Sequence, residues 1–131
     1  MAAEYARSEA LEGIARAVME EFPQEFSHLN NCRIAYQVCN HRKTKSGGMI
    51  VYADTEKVRY KHKGLLPYDF IITFYADGDI LDEEIQKRLM YHELKHVGYD
   101  AAEESCYIIP HDLEDFRDVI NKWGTDWIRG E

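Results

Sequence analysis

The order of apolar and polar residues divides the chain into a helix, a group of short strands and two further helices. Leu11, Ile14, Ala15, Val18 and Phe22 recur at three- and four-residue spacing, which predicts a helix over residues 4–22, broken by Pro23. A stripe at this spacing is the face a helix turns to its core, so this helix is expected to dock on a sheet. Over residues 32–38, Ile34, Tyr36 and Val38 alternate with more polar neighbours, the period of a half-buried strand. A polar, glycine-containing loop at 41–48 leads to strand-like runs at 49–53 and 57–62, joined across Asp54, Thr55 and Glu56. The run 68–76 is apolar on both alternations, as a strand covered on both faces would be. Asp77, Gly78 and Asp79 form a turn into a helix with Asp82 as N-cap and Glu83 and Glu84 in its first turn, stopping at Gly98. A last helix is expected over 112–123, with Leu113, Phe116, Ile120 and Trp123 as its stripe and Gly124 as its stop. The sum is an α+β domain over residues 1–131, with a small three- or four-stranded, mostly antiparallel sheet.

One helix carries chemistry. His92-Glu93-Leu94-Lys95-His96 is an H-E-x-x-H sequence. Residues four apart on a helix lie about 40° apart around the axis, so His92 and His96 can both reach one zinc ion. Glu93 then sits beside the ion, where it can take a proton from a water whose pKa the metal lowers. Ile85, Leu89, His92 and His96 share one arc, and Met90, Leu94 and Val97 continue its apolar side past Glu93, so all three functional side chains are expected to point inward. Glu84, Arg88, Tyr91 and Lys95 lie opposite.

A catalytic zinc needs a third protein ligand and keeps its fourth position open. His111, at the start of the last helix, is the first choice; Glu103, Glu104, His41 and His62 are its rivals. The metzincin continuation is absent, because Tyr99 and Ala102 stand where that pattern requires Gly and His. Asp100, Asp112 and Asp115 are candidates to orient the histidines, and Tyr99 and Tyr107 to stabilise an oxyanion.

His92-Glu93-Leu94-Lys95-His96, fourteen intervening residues, then His111-Asp112-Leu113-Glu114-Asp115-Phe116 and a following Trp123-Gly124 resemble the zinc metallopeptidases of phages and prophages, and more weakly the SprT-like proteases. The resemblance implies a zincin-like fold, one zinc per chain held by His92, His96 and His111, Glu93 as catalytic acid and base, and a peptide or protein substrate. In zincin-like proteins a strand beside the active-site helix pairs with extended substrate.

Composition narrows the setting. A net charge of −8 argues against general nucleic-acid affinity. Between His41 and Lys63, however, seven Lys or Arg face two acids, leaving nine bases against twenty-two acids elsewhere. That segment reads as a solvated edge strand, with a protease acting on DNA-bound proteins as the sharper reading. Cys32, Cys39 and Cys106 are odd in number and form no C-x-x-C, as expected of reduced thiols. The first residues hold no apolar signal core and no run approaches the roughly 20 apolar residues of a membrane span, so a location in a bacterial or phage-infected cytoplasm is expected. A protease in that setting is expected either to be narrow in substrate choice or to be expressed only during infection or lysis. A non-catalytic module stabilised by zinc is the reading from another class.

Overall fold

The computed structural model describes residues 2–111. The helix expected over 112–123 lies outside them, with Asp112 and Asp115. The architecture is α+β: helices packed on one face of a small sheet. The chain opens with a strand, β1 (Tyr5–Arg7), and only then with helix α1 (Glu9–Glu21). The expected helix therefore begins five residues late. Ser8 is the reason, since its hydroxyl accepts the Leu11 N–H at 3.1 Å and caps the helix, freeing the residues before it to pair antiparallel with the next strand. Leu11, Ala15 and Val18 are buried as the stripe required. Pro23 breaks α1 and starts a one-turn helix, α2 (Pro23–Phe26).

Strand β2 (Ile34–Cys39) follows, then a hairpin of β3 (Lys43–Lys45) and β4 (Met49–Val51). Gly47 and Gly48 turn that hairpin at φ of +82° and +73°, a region that side-chain-bearing residues rarely enter. Next comes β5 (Ala53–Lys57) and, after an irregular stretch, β6 (Phe70–Phe74). The four-stranded sheet runs β1-β2-β6-β5, with β2 and β6 parallel and the outer pairs antiparallel.

Asp54, Thr55 and Glu56 are thus the middle of a strand, facing Thr73, Ile72 and Ile71, and not a turn. Asp and Glu are depleted in strands, so the two acids that flank the β-branched Thr55 hide it. The ladder and side-chain partners on both faces outweigh that: Lys43 and Tyr75 reach Asp54, and Glu93 meets Thr55. The run 57–62 correspondingly leaves the sheet after Lys57, buries Val58 and coils into a 3-10 turn at Tyr60–His62. Of the seven basic residues in the segment, Arg42, Lys43 and Lys63 are paired with Asp77, Asp54 and Asp69.

Register places Tyr36, Ile72 and Thr55 on one face of the sheet, with Phe70 and Phe74. On that face lie α1 and a second long helix, α4 (Glu83–Lys95), reached through the short helix α3 (Ala76–Asp79). Asp82 caps α4 as its sequence predicted, accepting the Ile85 N–H at 3.0 Å. The core joins Leu11, Val18, Phe26, Phe70, Phe74, Met90 and Leu94. Gly78 in α3 has no room for a side chain, because a Cβ there would stand 2.2 Å from the backbone carbonyl oxygen of Tyr52. Gly78→Ala is expected to destabilise the fold by about 2–3 kcal/mol in urea unfolding, the upper range for overpacking; a change below about 0.5 kcal/mol would show that this contact yields freely.

Candidate metal centre

Helix α4 ends at Lys95, and His96 is its C-cap, two residues before the expected stop at Gly98. The chain turns there into a hairpin of β7 (Val97–Asp100) and β8 (Ser105–Ile108). Gly98 serves this hairpin, since the Tyr107 ring lies 2.6 Å from where its Cβ would be. Asp100 accepts the Ala102 and Glu103 N–H groups within the hairpin turn, so it does not orient a histidine.

The hairpin returns the chain to α4. The Ile109 N–H donates to the His96 carbonyl oxygen, and the His96 Nδ1 lies 2.7 Å from the Ile109 carbonyl oxygen. A carbonyl can only accept, so Nδ1 carries the proton and Nε2 keeps its lone pair. Two residues further on, His111 Nε2 stands 3.0 Å from His92 Nε2. The three rings are 4.5 to 5.1 Å apart between centroids, and one nitrogen from each lies within 4.8 Å of the others. Among the described residues this is the cluster of metal-binding type; Glu103, Glu104, His41 and His62 are not part of it. The spacing suits one ion, because nitrogens about 2.0–2.1 Å from a tetrahedral zinc lie roughly 3.3 Å apart.

Burial differs among the three motif residues. Glu93 is only 4% exposed, whereas His92 faces solvent and His96 is half-buried. Only the carboxylate of the expected inward trio is in the interior; the histidine rings line an open cleft. The buried face of α4 runs through Met90, Glu93 and Leu94. Burial pushes the Glu93 carboxyl above the ordinary carboxylate range, and nearby Asp54 adds to this. Against that act Thr55, whose hydroxyl lies 2.8 Å from Glu93 Oε1, and the neighbouring histidines. Burial, then the proximity of His96 and His111, hold His92 below the usual imidazole value. It is therefore neutral at pH 7, the form that binds metal.

Two partners escaped sequence reasoning. Thr55 was hidden in an apparent turn, and the Ile109 carbonyl is backbone, which no residue type announces. The strand that reaches Glu93 is β5, with the 68–76 run one strand further in.

A histidine triad beside a buried carboxylate, on an α+β frame, is what a metal-dependent hydrolase requires. The model of the family described as "Putative phage metallopeptidase" matches residues 3–130, and the chain belongs to that family. The family implies a bound metal ion and a peptide or protein substrate. No curated protein and no solved structure matches the chain. Among the described residues no helix is long and apolar enough to cross a membrane.

Proposed function

We propose that the protein is a zinc peptidase in which His92, His96 and His111 hold one ion and Glu93 is the general base. The observation that carries this is the convergence of three histidine nitrogens within 4.8 Å next to a carboxylate that is almost wholly buried. The bound ion would polarise the scissile carbonyl and acidify the attacking water. Glu93 takes the proton of that water and later delivers it to the leaving amine. Its raised pKa makes it a stronger base than a free carboxylate, and Thr55 fixes the direction of Oε1. Ile109 holds the His96 ring by its Nδ1 proton. A purely structural ion would gain nothing from a buried carboxylate at its side, since burying such a charge is costly.

The test is hydrolysis of a mixed peptide pool before and after chelation. Cleavage should vanish on stripping and return with one equivalent of zinc per chain; cleavage that persists in stripped protein would refute a metal-dependent reaction. Metal binding has a pH dependence of known sign. Protonated imidazole cannot bind, so affinity falls with pH through the histidine range. Because the His92 pKa is depressed, its share of that loss occurs below the ordinary value near 6.5. Loss of zinc setting in above pH 7 would contradict this.

A further inference from the structure

Two openings meet at His92 and His111. One, about 650 Å³, runs past His96 and includes the charged side chains of Glu25, Arg88 and Lys95. The other, about 580 Å³, is different in kind: Met49, Ile50 and Tyr52 line it from the hairpin side, and Leu81, Ile85 and Leu89 from the helix side. Met49 is 59% exposed, Ile85 43% and Tyr52 40%. Apolar side chains grouped around a reaction centre and left in water mark a place where something apolar binds. The wall is firmly built, since the Tyr52 carbonyl accepts the Tyr75 N–H at 3.0 Å and abuts Gly78.

We propose that this cavity receives a large aliphatic or aromatic side chain of the peptide substrate, next to the bond that is cleaved, and that carboxylate-bearing residues are favoured over basic ones beside it. The proposal rests on the peptidase reading and narrows its substrate class. Three observations carry it. The cavity shares His92, Glu93 and His111 with the candidate metal centre, so a side chain lodged in it places its own backbone against Glu93. Its volume falls within the roughly 300–1,000 Å³ of ligand sites. Among the described residues, the charged ones lining it apart from Glu93 are Lys45 and Arg88, and neither is in an ion pair with another described residue. Those two cations lie where they would attract an acidic peptide.

The test uses fluorescein-labelled peptide pools with one fixed position, Leu, Phe, Ala or Lys, and mixed residues elsewhere. Binding to zinc-loaded Glu93→Gln protein is read by anisotropy, and cleavage by the zinc-loaded wild type by mass spectrometry. Leu and Phe pools should bind at least tenfold more tightly than the Ala and Lys pools, and Ile50→Asp should collapse that ratio. Cleavage sites should carry an apolar residue beside the broken bond, with acidic residues enriched nearby. Cleavage without side-chain preference, or equal binding of all four pools, would overturn the subsite and leave the peptidase reading standing. Selective binding with no cleavage by wild type would support the subsite and overturn the peptidase reading. Neither binding nor cleavage would overturn both.

Discussion

Glu93→Gln is expected to lower kcat by roughly 10²–10⁴-fold, the range of a lost general acid–base group, while zinc content stays at the wild-type level. The same substitution should raise the melting temperature of the metal-free protein. A carboxyl whose pKa is raised by folding contributes stability below its unfolded value and loses that contribution as pH rises through the folded one. Above its folded pKa the ionised Glu93 therefore costs stability, and a neutral isostere that can still accept the Thr55 hydroxyl removes the cost. Opposite signs for activity and stability at one residue mark a group kept for chemistry. Equal loss of both would show that Glu93 only holds the fold.

Thr55→Val should be the second large effect. Valine keeps the shape but leaves a buried carboxylate without its donor, where a hydrogen bond to a charged group is worth about 1.5–3 kcal/mol. We expect kcat to fall about tenfold or more with KM little changed, and Thr55→Ser to restore most of it. A structural defect alone would not be rescued by serine, whose hydroxyl is retained but whose methyl is lost. The contact is specific, since Thr55 Oγ1 lies 2.8 Å from the carboxylate and 3.1 Å from the Glu93 carbonyl oxygen, and its single proton goes to the nearer, charged acceptor.

The parts of this protein written in local residue patterns were legible from sequence. The stripe of α1, the Asp82 cap of α4 and the H-E-x-x-H spacing each depend on residues within a few positions of one another. Long-range partners were not. Asp54, Thr55 and Glu56 look like a turn until β6 supplies their ladder and Glu93 their side-chain partner, and Tyr5–Arg7 look like helix until β2 offers an edge. Fourteen residues separate His111 from His96 because a β7–β8 hairpin fills that gap, and it was the His96–Ile109 exchange of hydrogen bonds that sequence could not foresee. Burial was misjudged for a related reason: helical periodicity gives a face its direction, but the sheet beneath decides that Glu93 is covered and His92 open.

The central claim is a single zinc site made by three histidines, and metal content per chain tests it most directly. Elemental analysis of protein purified without a metal column, wild type beside His92→Ala and His111→Ala, should give one zinc per wild-type chain. Both variants should keep wild-type circular dichroism and lose affinity by more than the roughly 10–100-fold that an outer partner is worth. Full zinc in folded His111→Ala, or a wild type that takes up none, would contradict the account.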